Sequence, residues 1–551
     1  MPNIASIIRD HVSLSIRCMD RLYINGYLPK LQTSGQLAYF MTEHLGKPIP
    51  SPVLLQRLRE RFVGSLKRWS EEQEIAMVRF ERGQRKDDVA CERRRKFQAS
   101  EGVVFVGVAQ ERCWSFGAHR RRTAGGSVTF DFTRQSVFVN HYYFYFQDRD
   151  WGPGFLKVGS YAPYPVKLCL NGHEWAKQQL RREGIGFKSL DNGFFSCEDP
   201  DRLQSICDRL GPADVQACFD RWSHTVPWPL EPQYRAAGYE HALSIWQIET
   251  SLTQVFDRPV YGRQFFTEVI REHLDLGRPD RVSALFSKRL TKRTPPPKYG
   301  YKTRVFVEGV DPSIHVNFKH SEVKQYFKEQ RALRTETTIN DPLDVHSRKA
   351  LRNLPYLRSV GDAVNQRLLD AETLSHDCQL SDSSFERLQR PVVQDGHRCP
   401  ALRFGDPRVR ALLQALCGFA HLPAGFRHRN LRAQVAAFLG DPNYKTNQMT
   451  YDLRRLRRRG LIARLHGTHL YVLTTYGLKV AFFCSKLYLR VFRPAWAELE
   501  SSVGSLPRRL KQAFERLTRE LDRFVQHAQF QDLTRTQNLT QTSRCQAMGG
   551  T

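Results

Sequence analysis

Two apolar, aromatic stretches, "SVFVNHYYFYFQD" and "GFLKVGSYAPYPVKLCLNG", flank "RDWGPG" at residues 149–154. Each reads as a long strand, and the Gly and Pro between them mark a tight connection. Strands joined this closely pair antiparallel, because a parallel pair needs a crossover of a dozen residues or more. With "GVVFVGVAQ" before them and "IGFKSLDNGFFSC" after them, they predict a β-rich meander. A regular parallel α/β repeat is excluded.

The surrounding segments read as helices. "SPVLLQRLRERFVGSLKRWSEEQ" has apolar residues at helical spacing behind a Ser-Pro start, and residues 1–100 are expected to be mostly helical. "HEWAKQQLRREG" and "DPDRLQSICDRLG" end on Gly184 and Gly211. "ADVQACFDRWS", "YEHALSIWQIETSLTQVF" and "RQFFTEVIREHL" continue the helical pattern to about residue 290. "KRLTKRTPPPKYG" and "SDSSFERLQRPVVQDGHRCP" read as linkers. The fold class expected is a multidomain α+β chain. It comprises a helical part at 1–100, an antiparallel β-rich α+β region at 101–290 and a hairpin element with helices at 301–372 that packs on it. A winged helix at 401–484, helices at 485–528 and a disordered tail at 529–551 complete it.

The chain has 84 Lys and Arg against 56 Asp and Glu, a formal charge of +28. An excess this large favours polyanionic partners, nucleic acid first. Twelve cysteines include no Cys-x-x-Cys pair, the pattern of a reduced protein, and the expected location is cytoplasmic. No stretch approaches 18 uncharged apolar residues, so no membrane partner is expected.

Residues 401–484 carry three helical segments, "DPRVRALLQALCGFAHL", "RNLRAQVAAFLG" and "TNQMTYDLRRLRRRGLI", and then a strand pair, "ARLHGTHLYVLT". This is the order of a winged helix, whose third helix reads the groove. Met449, Leu453 and Leu456 lie on one face for the core. Asn447, Thr450, Tyr451, Arg454, Arg457 and Arg458 lie mostly outside it, with Arg464 and His469 on the wing; Asn and Arg suit base edges and phosphates. "YDLRRLRRRGLIARLHGTHLYVLTTYGLKVA" resembles MarR-type winged-helix regulators, in which L-x-x-L-x-x-x-G-L-I leads into a wing and then L-T-x-x-G. The resemblance covers about 80 residues and implies the fold; it leaves open DNA, RNA or protein as the partner.

Alternation sorts a second candidate. His315, Asn317 and Lys319 share a face of "SIHVNFKH"; Lys324, Tyr326 and Lys328 share a face of the next strand, and Arg334 and Glu336 share a face of the one after. Should these faces coincide, they form a floor for phosphates and bases, or for catalysis. "V-K-x-Y-x-K … L-R-x-E" resembles a segment of phage and plasmid replication initiators, enzymes of mobile-element type. That resemblance implies Tyr326 as nucleophile, Glu336 as a metal ligand and a divalent cofactor, Mg²⁺ or Mn²⁺. Asn317 stands where that class has the second His of its metal motif, which favours a binding floor over a nicking centre. Asp148 and Asp150, near Lys157, His173 and Glu174, are a separate candidate metal pair. "KLCLNGHEWAKQQL" and "GRPDRV" resemble a widespread group of bacterial proteins, which implies a bacterial source and a shared architecture but no mechanism.

The function expected is therefore nucleic-acid binding, DNA through the winged helix and a basic sheet surface. The alternatives are a metal-dependent DNA-nicking enzyme and an RNA-binding protein. A homodimer through the helices of 485–528 is a further expectation.

Overall fold

In the computed structural model the described residues are 4–81, 83–122, 128–265, 301–306, 313–318, 320–376, 388–394, 396–418, 425–441, 443–465 and 468–488, with a few isolated positions beyond. Among these residues, thirteen strands precede residue 340: β1 (Val12–Tyr27), β2 (Met77–Arg79), β3 (Gly102–Arg122), β4 (Val128–Asp148), β5 (Gly152–Gly159), β6 (Val166–Asn171), β7 (Phe187–Leu190), β8 (Gly193–Cys197), β9 (Ala242–Phe256), β10 (Tyr301–Phe306), β11 (Ser313–Phe318), β12 (Ser321–Lys328) and β13 (Ala332–Ile339). Eleven of them form one mixed sheet in the order β10-β11-β12-β13-β9-β1-β6-β5-β4-β3-β2, and β7 and β8 form a separate hairpin. The pairs of the large sheet are antiparallel except β2 with β3.

The expected meander is present as β3 to β6, and its second long stretch divides into β5 and β6. The region 1–100 is helical over more than half its length, as expected, but it also supplies β1, which occupies the middle of the sheet between β9 and β6. One other expectation is corrected. "YEHALSIWQIETSLTQVF" is the 15-residue strand β9, not a helix. Their pairing carries bulges, at Met19/Leu22 and Tyr23/Ile24. A bulge shifts the side-chain phase, so apolar residues that alternate on either side of it mimic a helical spacing. β9 is also buried without interruption from Thr250 to Phe256, which erases the period of two. Consequently 301–340 is not an element docked on a neighbouring domain; its strands continue the same sheet through β13 and β9.

One large core holds the sheet to its helices. Leu22, Ile24, Ile248, Leu156, Leu168 and Phe144 are buried together with Phe62 and Leu66 of the helix Pro52–Glu72 and Leu357 and Leu368 of the helix Leu354–His376. Trp222, from the helix Pro212–Thr225, stacks on Phe146 at 4.3 Å between ring centroids. No helix among the described residues is long and apolar enough to cross a membrane.

Further along, the helices Pro407–Gly418, His428–Leu439 and Thr446–Arg458 surround a three-stranded sheet of β16 (Phe426–Arg427), β17 (Ile462–Arg464) and β18 (Leu470–Leu473), in the order β16-β18-β17. A two-stranded ribbon of β14 (Val392–Gln394) and β15 (His397–Cys399) precedes them. The helix Thr475–Leu487 follows β18. Thr474 Oγ1 accepts from the Gly477 amide at 2.9 Å, and a Cβ on Gly477 would meet the Leu461 carbonyl oxygen at 1.9 Å. Only glycine fits that approach, which accounts for the Gly of L-T-x-x-G.

Candidate nucleic-acid interface

The register of β11, β12 and β13 brings the polar faces together. Tyr326 stands opposite Arg334 and Ser313, Lys324 opposite Glu336 and His315, and Asn317 opposite Glu322. Opposed residues share a face, so His315, Asn317, Lys324, Tyr326, Arg334 and Glu336 lie on one side of the sheet, and by alternation Lys328 with them. Lys319 lies outside the described residues. Lys324 Nζ sits 4.2 Å from the centroid of the Tyr326 ring. His315 Nδ1 is 2.6 Å from Glu322 Oε1.

The basic groups on this face are not equally available. Arg334 is fully buried, with no exposed surface. Its Nη2 donates to Asp20 Oδ2 at 2.6 Å and lies 2.9 Å from His173 Nε2, which accepts there. Its Nη1 donates to the Asn192 carbonyl, and its Nε faces Glu336 Oε1 at 2.8 Å. Asp191 and Asn192 form the turn between β7 and β8, and Gly193 opens β8. That turn caps the guanidinium so closely that a Cβ on Gly193 would come within 2.9 Å of Nη1. The expectation that Arg334 contacts nucleic acid is corrected: its donors are committed inside the protein. Lys324 and Lys328 are half-buried and remain at the surface of the face.

Tyr326 donates to Glu336 Oε1 at 2.9 Å. Burial, reinforced by the Glu336 carboxylate, pushes the phenol well above its ordinary acidity range. A tyrosine nucleophile needs the opposite shift. Replacing Tyr326 with Phe is expected to cost about 1.5–3 kcal/mol of stability, the range for a hydrogen bond to a charged group, while nucleic-acid affinity stays within about two-fold. Chemical denaturation and binding titrations on the same preparation check both.

The residues that complete this cluster come from β1, β9 and the helix Gly172–Arg182. Asn192 Nδ2 donates to Asp20 Oδ1 at 2.6 Å, and His173 Nε2 is 3.0 Å from Ser251 Oγ. Asp20 is buried, which alone would raise its pKa, yet the Arg334 guanidinium beside it carries the carboxyl well below its ordinary 3.8. Glu249 on β9 takes the opposite shift: burial, with Asp20 and Glu336 as like charges, pushes it from 4.5 up to about 7. The folded state therefore keeps a proton that the unfolded chain releases above pH ~4.5, and stability falls as pH rises from there to about 7. Replacing Glu249 with Gln is expected to remove about 1–3 kcal/mol of that decline, seen as a flatter plot of melting temperature against pH from 4.5 to 8. The apolar–polar alternation of β1 breaks at Met19–Asp20 and β9 has none from Glu249 to Ser251, so Asp20 and Glu249 carried no signal of this placement.

Asp148 and Asp150 do not face a cation site. Asp148 is fully buried. Its Oδ1 accepts from the backbone amides of Asp150 and Trp151 at 2.8 and 3.0 Å, and its Oδ2 accepts from Arg221 Nη1 and Trp222 Nε1, both at 2.7 Å. Asp150 pairs with Arg221 and with Arg182 at 2.6 Å. The metal expectation here is corrected: the two carboxylates tie the β4–β5 turn to the helix Pro212–Thr225. Lys157 belongs to another cluster, with Glu111, Lys86 and Tyr143. Burial opposes ionisation of Glu111, but the Lys157 and Lys86 ammoniums hold its pKa down at about 2. Among the described residues no three or more His, Cys, Asp or Glu side chains are placed to share a metal ion.

On the helix Thr446–Arg458, Met449, Leu453 and Leu456 are buried, as their spacing predicts. Asn447, Thr450, Tyr451, Arg454 and Arg457 are exposed, and Arg458 is half-buried. Two arginines of the same run face inward. Arg455 donates to the Ala401 carbonyl, and Arg459 donates to the Arg390 and Pro400 carbonyls at 2.7 and 2.8 Å. Buried Asp452 accepts from Arg408 Nε at 2.8 Å and from the Tyr444 hydroxyl, fixing this helix against the helix Pro407–Gly418. On the strand pair, Arg464 and His469 are exposed and adjacent, 3.2 Å apart, and Arg464 Nε donates to the Thr468 carbonyl at 2.7 Å. Exposed Arg427, Arg429 and Lys445, at the starts of the two neighbouring helices, add to the basic character of this region.

The chain matches no protein-family model, no curated protein and no solved structure. The likenesses to MarR-type regulators and to replication initiators therefore rest on the quoted residues alone.

Proposed function

We propose that this chain binds nucleic acid, duplex DNA first, through residues 407–473 acting as a winged helix. The order of three helices with strands β16, β17 and β18 supports this reading, in which the helix Thr446–Arg458 is the reading helix. The observation that carries the reading is the sorting of the arginines on that helix. Arg455 and Arg459 are held by backbone carbonyls, while Arg454 and Arg457 are left outward beside Asn447, Thr450 and Tyr451. An outward row of Asn, Thr and Arg presents the donors that phosphates and purine edges accept. On the polar face of the large sheet Lys324 and Lys328 stand among Glu322 and Glu336, so the proposal rests on the C-terminal helices and strands. The net charge of +28 supports it.

The direct test is to recover and sequence the nucleic acid that co-purifies with the protein, then to compete duplex DNA against RNA of equal length at one salt concentration. Duplex DNA is expected to win. RNA winning would transfer the function to RNA, and absence of both would overturn the proposal. Incubation with single-stranded and supercoiled DNA in Mg²⁺ or Mn²⁺ is expected to leave the DNA intact. A covalent protein–DNA adduct lost in Tyr326→Phe would establish the nicking reading instead. The dimer expected through 485–528 falls almost entirely outside the described residues.

A further inference from the structure

The strands β3 and β4 are 21 residues each and run far past their neighbours β5 and β2 as a two-stranded ribbon. Register places three opposed pairs in sequence on one face of that ribbon: Arg112 with Phe138, Trp114 with Ser136, and Phe116 with Arg134. Cations and rings thus alternate diagonally. The Arg112 guanidinium lies 4.9 Å from the Phe138 ring centroid, and the Arg134 guanidinium lies 5.0 Å from that of Phe116. Phe116 is buried, but Trp114 is 63% exposed and Phe138 58% exposed. They are diagonal neighbours across the ribbon, within reach of one shared ligand. Arg120, Arg121 and Arg122 are exposed farther along the same strand.

Single apolar residues on a surface are ordinary. Two large rings that are diagonal neighbours on paired strands, with Arg112 on the Phe138 ring and Arg134 diagonal to Trp114, are a different matter. The rings are held open by the sheet, and the cations beside them supply the counter-charge for a phosphate backbone. We infer that Trp114, Phe138, Arg112 and Arg134 form a stacking platform for single-stranded nucleic acid, the bases lying on the two rings and the phosphates running past the arginines. Every base has a face to stack, so the platform would be indifferent to sequence. The inference rests on the proposed nucleic-acid function, but it uses none of the residues assigned to the winged helix.

The test is fluorescence anisotropy on the full chain, with labelled oligo(dT), oligo(rU) and a 20-base-pair duplex as probes. The variants are Trp114→Ala/Phe138→Ala, the ring-conserving Trp114→Phe/Phe138→Trp, and Arg454→Ala/Arg457→Ala. Stacking contributes about 5- to 150-fold in affinity per base. The double alanine variant should therefore lose at least about 20-fold on single strands, with duplex affinity within about two-fold of the parent. The ring-conserving variant should bind single strands as the parent does. Single-strand binding equal in the alanine variant and the parent would overturn the inference. So would equal loss in both platform variants, or no single-strand binding by the parent, in which case the rings would serve a protein partner. Should duplex binding ignore Arg454 and Arg457 while single strands still require the rings, the platform stands and the winged-helix reading falls.

Discussion

Replacing Arg334 with Leu is expected to destabilise the large sheet by about 3–5 kcal/mol, the cost of breaking a buried ion pair from one side. The substitution leaves Asp20 buried at 2% exposure with its carboxylate lacking the guanidinium that holds it ionised. It also frees the Asn192 carbonyl from its donor and removes the cation beside Glu336 Oε1, which keeps only the Tyr326 hydroxyl. The partner variant Asp20→Asn should cost less, since an amide is neutral and Asn192 can still bond to it. The double variant Arg334→Leu/Asp20→Asn should recover part of the loss, because no unpaired charge remains buried. In the parent protein the pair's contribution is complete above the ordinary aspartate value of 3.8 and is lost progressively as pH falls from there toward the depressed folded value of Asp20. Denaturant midpoints at pH 7 and at pH 3 check this: the gap between parent and Arg334→Leu should narrow at the lower pH. Equal gaps would mean that Asp20 is not the group that Arg334 stabilises.

The Arg454→Ala/Arg457→Ala variant is expected to weaken duplex binding by about 10- to 100-fold at moderate salt. It should also reduce the slope of log affinity against log salt by about 1.8, the effect of leaving two phosphates unneutralised at ~0.9 each. If one of the two arginines reads a base rather than a phosphate, the slope changes by about half as much and the loss becomes dependent on sequence. Arg455→Ala is the matched control from the same basic run. Its guanidinium bonds the Ala401 carbonyl, so its removal should lower the melting temperature and spare the salt slope of the folded fraction. Salt titrations of the three proteins separate the two roles. Equal behaviour of the Arg454/Arg457 and Arg455 variants would remove the distinction between outward and inward arginines.

Three features were legible because they are local. Helix Thr446–Arg458 shows its core face in the spacing of Met449, Leu453 and Leu456. The β12–β13 hairpin shows its faces by strict alternation. The β7–β8 hairpin announces itself through Asp191-Asn192-Gly193, turn-forming residues between two short strands. Strands β1 and β9 were not legible. Bulges interrupt the pairing of β1, whose apolar–polar alternation is regular only from Val12 to Cys18, and β9 is buried on both faces from Thr250 on, with no polar side there to mark the period. The arginine run of 454–459 shows the same division. Composition identifies a basic segment, but which guanidiniums turn inward depends on the carbonyls at Arg390, Pro400 and Ala401, some fifty residues or more earlier in the chain.

By itself, then, the amino-acid sequence determined the basic character of the chain, the antiparallel meander, the hairpin whose faces carry Lys324, Tyr326 and Glu336, and the helix order of the C-terminal region. All of these follow from periodicity, turn residues and charge within a short window. Only the tertiary structure decided that the hairpin faces coincide and that Asn192, Gly193 and Asp20 close over Arg334, so that part of the expected phosphate floor is interior. Pairing of β13 with β9, and of β9 with β1, brings together residues more than 300 positions apart. Burial at such a contact depends on the whole sheet and has no local signature.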